Sequence, residues 1–283
     1  VADAPTADAP VGTVGALWRY PVKSMLGERI PAAEVTDRGL AGDRRLALLD
    51  RESGKVASAK TPRLWRSLLT CTAVRAGQAT RITGPAGETL LSTDAGVDEA
   101  LSAIVGRPVT LTGRPPDGAE LDRSRPEEVL AEGLEAEVAA DVVRFGSAAP
   151  PGTFFDFAPV HLLTTSTLER LAALGPRGVA EVERYRPNLV IDTPGKGFVE
   201  QRWVGRDLRI GDRLVLRVMA STPRCAVPTL VHGDLPRDAD ALRTPAVHNR
   251  VPALPGRPPE PCVGVYAQVL RPGPVRAGDT VRF

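Results

Sequence analysis

Residues 206–229 read RDLRIGDRLVLRVMASTPRCAVPT, and this stretch decides the fold class. Alternating apolar and polar residues on both sides of a Gly211-Asp212 turn predict two half-buried strands. The second runs into a Ser221-Thr222-Pro223 turn that delivers Arg224 and Cys225 onto a loop. The same grammar extends outward in both directions. Upstream, Val11 to Trp18, Arg45 to Leu49, Ser67 to Val74, Thr80 to Thr83, Glu88 to Leu91 and Pro108 to Leu111 are short apolar runs bounded by Gly, Pro and Asp. Pro187 to Asp192, Val263 to Leu270 and Asp279 to Phe283 repeat it in the second half. Many short strands with frequent turns suit a sandwich or barrel.

Three stretches predict helices that cover barrel openings or sheet faces: Asp94 to Val105 with Asp94 as N-cap, Pro126 to Glu137, and Thr165 to Leu174. In the last, Ser166 and Glu169 have capping-box spacing. The expected class is therefore mixed α+β and β-rich. At roughly 150 residues per domain, 283 residues suggest two domains. The Pro-, Arg- and Asp-rich run Gly113 to Arg125 is the expected connection. This gives a flexible tail at 1–10, a first domain at 11–120 and a second at 121–283.

With 36 Lys+Arg against 34 Asp+Glu, the formal charge is +2, and nothing in the overall balance recruits nucleic acid or a membrane surface. No apolar run approaches the ~20 residues of a membrane span. The opening VADAPTADAP lacks the basic and apolar regions of a signal peptide. Three widely spaced cysteines form no disulfide or zinc pattern and fit a reducing cytoplasm. His161, His232 and His248 form no HExxH or His-x-His pair, which removes the common zinc-hydrolase patterns. No Gly-rich phosphate loop of standard spacing occurs, and GKGF at 195–198 reads as a hairpin turn.

Among the cysteines, Cys71 lies in the strand-like LLTCTAV and reads as core, and Cys262 as a packed thiol. Cys225 differs. Its neighbour Arg224 suits a thiolate, Pro223 and Pro228 stiffen its flanks, and thiolate is a good soft ligand for a metal. Isolated polar groups also stand where strands begin or end: Lys23 and Ser24, Arg44 after Gly42-Asp43, and Arg186 and Asn188 around Pro187. Singly, each reads as a surface or loop residue. Brought together they would suit an anionic phosphate and a polar heterocycle, because Arg gives bidentate contacts and Asn both donates and accepts.

YPVKS at 20–24, GLAGDR at 39–44, YRPN at 185–188 and PRC at 223–225, in this order, resemble the MOSC superfamily with its N-terminal β-barrel domain. The likeness extends from about Val11 to Phe283 and includes amidoxime-reducing components and bacterial N-hydroxylated-base reductases. It implies a β-barrel-like first domain, a MOSC barrel, and a molybdenum cofactor (Mo-molybdopterin) whose metal takes Cys225 as its protein ligand. It further implies cofactor contacts at Lys23, Ser24, Arg44, Arg186, Asn188 and Arg224, with Thr164 or Thr165 where relatives place small hydroxyl residues. The implied activity is reduction of N-hydroxylated or N-oxygenated small molecules.

Asp234 is the candidate proton relay, and His232 and the His248-Asn249-Arg250 run belong to a loop that would overhang the metal. Relatives often carry Ser-Arg-Cys where this chain has Thr222-Pro223-Arg224-Cys225. Three cysteines are too few for a Cys₄ iron–sulfur cluster beside a molybdenum ligand, so electrons are expected from a separate protein. Two alternatives use the same residues: sulfur transfer through a persulfide on Cys225, and a cofactor carrier without turnover.

Overall fold

The computed structural model describes residues 9–144 and 149–283. The expected tail therefore lies, but for its last two residues, outside the described residues. Seven strands close a barrel. In spatial order they are Val160–Thr164, Leu189–Asp192, Pro10–Arg19, Thr280–Arg282, Asp207–Ile210, Leu214–Pro223 and Pro259–Arg271, and the last pairs back onto the first. Closure removes the open edges that a sheet of this size would otherwise expose. Only Val160–Thr164 and Leu189–Asp192 run parallel, and the helix Thr165–Leu174 makes their crossover.

The alternation read from the sequence fills the barrel. Leu208, Ile210, Leu214, Leu216 and Val218 are buried with Leu162, Leu189, Ile191, Val265 and Val281, while Arg209 faces outward. Truncating one such leucine to alanine costs about 2–5 kcal/mol. Gly211, with φ +57°, makes the expected turn, and its N–H donates to Thr280 O at 3.0 Å.

A second lobe is inserted between the first barrel strand and the other six. Ala47–Asp50 pairs with Val109–Thr112, and Thr72–Ala76, Ala79–Thr83 and Thr89–Leu91 form a meander. The helix Val97–Val105 covers a core that includes Met25, Leu48, Trp65, Leu68, Cys71, Ile82 and Leu101. Cys71 is core as expected, and burial pushes its thiol up to about 11.

Several boundaries differ from the sequence reading. Ser67 to Val74 is not one strand: Arg66–Thr70 is a 3₁₀ turn and the strand begins at Thr72. Leu68 and Leu69 are both buried, and consecutive side chains of a strand point to opposite faces. Asp94 does not cap its helix, because Oδ2 accepts from Leu91 N at 2.7 Å and the helix starts after left-handed Gly96. The next helix ends at Glu132, before Gly133 at φ +98°. Thr165–Leu174 has its expected span, but Thr164 rather than Ser166 caps it, with Oγ1 accepting from Thr167 N. The helix Asp240–His248 was not expected, since Pro245 inside it reads as a breaker.

The expected cut at residue 120 does not separate the lobes. Pro10–Arg19, assigned by sequence to the first domain, is a barrel strand. Glu120–Ser124, in the expected connection, pairs with Ala140–Arg144 and packs on the inserted lobe through Leu121, which is buried with Ala47, Val56 and Phe154. The chain leaves the barrel at Tyr20, returns to it for Glu28–Leu40, whose Ile30, Val35 and Leu40 pack in the barrel core, leaves again after Asp43 and comes back at Phe154–Ala158. Lys23, Ser24, Arg44, Phe155 and Asp156, at these crossings, border the cavity described next.

Candidate functional site

A cleft of about 740 Å³, open mouth included, lies at this junction, and Lys23, Ser24, Arg44, Arg186, Asn188, Arg224 and Cys225 all line it. Each stands just past the end of a regular element. Ser24, Arg44 and Arg186 have φ of +65°, +43° and +55°, and they are the only non-glycine residues in the left-handed region among the described residues. Such backbone costs of order 1–3 kcal/mol per residue and persists where surroundings over-determine it. Here the surroundings are visible. Arg186 terminates the short helix Val182–Tyr185, and its Nη2 donates to Met25 O at 2.7 Å. Arg44 N donates to Tyr20 O at 2.7 Å. Ser24 Oγ accepts from Ala59 N at 3.1 Å, which leaves its own proton free to donate into the cleft.

Positive charge dominates. Lys23, Lys60, Arg44, Arg186 and Arg224 face the cleft, against Asp156 within it and Asp43 behind it. Asp43 is buried and spent: Oδ1 accepts from Tyr20 N at 2.7 Å, Oδ2 accepts from Asn188 Nδ2 at 3.0 Å, and Arg44 Nη1 pairs with it. Asp156 bridges Lys23 Nζ at 2.6 Å and Lys60 Nζ at 3.0 Å. Burial alone would raise its carboxyl, but the two ammonium groups outweigh that and hold it far below the usual range.

Burial lowers Lys23 to about 8 despite Asp156, and Arg186 to about 10 despite Tyr20. Both shifts record cations whose lost solvation is only partly offset by nearby negative charge. Arg186 Nη1 and Arg224 Nε are buried without a hydrogen-bond partner among the described residues. Orphaned buried guanidinium nitrogens are costly, and an anion in the cleft would satisfy them. Tyr20 lies under the Arg186 guanidinium at 4.4 Å and the Arg44 guanidinium at 4.9 Å, which stacks the two cations over one ring.

Cys225 is buried and free, packed beside Ala59, Leu69, Val227 and Leu230. Its loop is held from both sides: Arg224 N donates to Pro261 O at 2.8 Å, and Arg224 Nη2 donates to Tyr185 O at 3.1 Å. Fully buried Arg184 fixes the segment that follows, with Nη1 donating to Leu230 O at 3.1 Å and Nη2 to Pro236 O at 2.7 Å.

Other expected residues lie elsewhere or are already engaged. Asn188 borders the cleft, but its amide staples the fold, with Oδ1 accepting from His161 N and Nδ2 donating to Trp18 O and Asp43 Oδ2. Thr164 Oγ1 donates to buried Glu200 at 2.7 Å, and Thr165 Oγ1 accepts from Thr193 N at 3.2 Å, so neither hydroxyl faces the cleft. Asp234 is exposed and does not line it. His232 is buried with Nδ1 3.0 Å from Leu230 O, and burial lowers it to about 4. His248 and Arg250 are exposed, and Asn249 Nδ2 donates to Cys262 O at 2.7 Å. None of these lines the cleft.

Conversely, Lys60, Phe155, Asp156, His161, Tyr185 and Tyr266 line it without having been singled out. One signal was available. Three of the six phenylalanines fall at 154–157, around Asp156.

Two families match the chain: "MOSC domain" over residues 150–282 and "MOSC N-terminal beta barrel domain" over residues 11–101. The mitochondrial amidoxime-reducing component 1 of Mus musculus is 28% identical, and that of Homo sapiens 26%, each over 96% of this chain and 82% of the relative. The crystal structure of the YUAD protein from Bacillus subtilis is 12% identical, with a TM-score of 0.46 over 95% of this chain and 93% of its own.

Proposed function

Because the chain belongs to the MOSC superfamily, with a MOSC N-terminal β-barrel domain ahead of its MOSC domain, we propose that it is a molybdenum-cofactor-dependent reductase of N-hydroxylated or N-oxygenated small molecules. The observation that carries this reading is the convergence of Lys23, Ser24, Arg44, Arg186, Arg224 and Cys225 on one cation-rich cleft with two orphaned guanidinium nitrogens. The donor set fits the cofactor. Lys23 and Arg44 counter its phosphate, with the Ser24 hydroxyl as a further donor. Arg186 Nη1 and Arg224 Nε supply the remaining donors, and Cys225 is the sulfur ligand. Asn188 acts indirectly, holding His161 and Asp43 rather than reading the pterin.

The bound cofactor would supply two-electron chemistry at the substrate N–O bond. What the protein adds is position, charge and proton handling. Proton handling falls to the Lys23–Asp156 pair inside the cleft, whose ammonium and carboxylate stand 2.6 Å apart, instead of exposed Asp234 outside it. His161, lowered to about 3 by burial and by Arg224, stays neutral, so its single ring N–H serves one of the two carbonyls beside it, Arg186 O at 3.3 Å or Val263 O at 3.4 Å.

The test is turnover with a chemical reductant. Protein made in a cofactor-competent host should reduce an arylamidoxime to the amidine and water, consuming two equivalents of reduced methyl viologen per amidine. Metal-loaded protein that leaves the amidoxime and a hydroxylamine untouched would refute the reductase reading. Sulfane sulfur on Cys225 without bound molybdenum would favour sulfur transfer instead.

A further inference from the structure

We infer that an arginine-lined groove beside the cleft is the docking surface for an acidic one-electron carrier protein. This rests on the reductase reading, which needs an external electron source. The groove, about 1660 Å³, shares Arg44 and Phe155 with the cleft, so an occupant lies one layer of side chains from it. Arg38, Arg45, Arg75 and Arg114 project around it from separate segments of the chain. The carboxylate among its lining residues is Asp43, which is buried and committed to Tyr20, Asn188 and Arg44.

Two contrasts identify the occupant. Arg51 pairs with Asp98 and Arg125 with Glu128, while Arg81, Arg170 and Arg243 are exposed without an ion pair; what sets Arg38, Arg45, Arg75 and Arg114 apart is that all four, with no ion pair among the described residues, surround one groove. The groove is thus a positive field without its counter-charge. The second contrast is with the cleft itself. There the cations are largely buried and three site residues are locked in left-handed backbone, as fits a small rigid anion. Here the four guanidiniums are exposed. Arg38 donates to Pro151 O and Gly152 O, and Arg75 to Gly77 O, contacts that leave most of each fork facing water. Exposed, unpaired charge of one sign speeds encounter and orients a partner while adding little residence time. A carrier that must dock and leave twice per turnover needs that behaviour, and such interfaces are small. Per substrate, R–NHOH + 2 e⁻ + 2 H⁺ gives R–NH₂ + H₂O. Two carrier proteins are each oxidised by one electron, and the protons come from water.

The probes are a reduced plant-type [2Fe–2S] ferredoxin and a flavodoxin, both acidic carriers. Binding to the full chain is measured by biolayer interferometry at 20 and 200 mM NaCl, for the wild type, Arg45→Glu/Arg114→Glu, and Arg209→Glu on the outer barrel face as a charge control. The expected result is salt-sensitive binding to at least one carrier, weakened about tenfold or more by the double reversal and little by Arg209→Glu. In loaded protein, carrier-driven amidoxime reduction should fall in parallel while the viologen-driven rate is unchanged. Absence of salt-sensitive binding to both carriers, or equal loss in the Arg209 control, overturns the inference. So does tight binding of pyrophosphate that the double reversal abolishes, which would make the groove a small-anion site. Loss of viologen-driven turnover in the wild type sinks the reductase reading and leaves the binding result to be judged separately.

Discussion

Asp43→Asn should be among the most damaging single-atom changes in this protein. The carboxylate is buried behind the cleft and serves three donors, Tyr20 N, Asn188 Nδ2 and the Arg44 guanidinium. The substitution preserves shape but removes the charge that offsets Arg44, and its amide must point N–H groups at one of the existing donors. Breaking a buried ion pair from one side costs about 3–5 kcal/mol, and a stranded buried donor about 1–3. Arg44 keeps some solvent contact, which discounts the first figure, so a net loss of about 3 kcal/mol is expected. With a urea m-value of about 3 kcal/mol/M for a chain of this size, the unfolding midpoint should fall by roughly 1 M. Removing the stranded cation as well, in Asp43→Asn/Arg44→Met, should recover part of the loss. A shift of the single variant below about 0.3 M, or a double variant as damaged as the two singles added, would refute the reasoning.

Three further outcomes follow from the same geometry. Arg184→Met removes donors to Leu230 O and Pro236 O and one of the two arginine partners of Glu181, so hydrogen exchange across 226–238 should accelerate and stability fall by about 3 kcal/mol; protection unchanged in that segment would contradict it. Gly264 has φ +81°, and a Cβ there would lie 2.6 Å from Leu162 O and against the His161 ring, so Gly264→Ala should cost more than about 3 kcal/mol in thermal unfolding. Burial lowers Lys23 to about 8 from 10.5, so the folded protein releases this proton first, and its unfavourable effect on stability, complete below pH 8, is relieved between pH 8 and 10.5. Sulfate affinity measured by calorimetry should therefore drop about tenfold as pH rises past 8 in the wild type but not in Lys23→Arg, and an equal drop in both would remove Lys23 from the anion site.

How much of this was legible in the sequence depended on where each residue sits. The barrel strands showed themselves because one face is buried and one is wet, so Leu208, Ile210, Leu214 and Leu216 alternate with polar neighbours. Lys23, Arg44, Arg186, Arg224 and Cys225 stood out as polar groups at strand ends, where a closed barrel gathers its loops. His161 and Tyr266 were hidden because they come from barrel strands whose other residues are core. Lys60 and Asp156 read as ordinary loop charges until folding set them 3.0 Å apart. Thr164 shows the converse: the hydroxyl type was right, but helix capping and Glu200 had prior use of it. The interleaving of the lobes was not readable at all, since nothing local marks Pro10–Arg19 as the partner of strands nearly 180 and 270 residues away.

Metal content of the purified chain tests the central claim most directly. Protein from a cofactor-competent host should carry about one molybdenum per chain by inductively coupled plasma mass spectrometry. Cys225→Ser, folded to the same thermal midpoint, should lose most of it. Molybdenum retained undiminished in that variant would contradict the assignment of Cys225 as the metal's protein ligand.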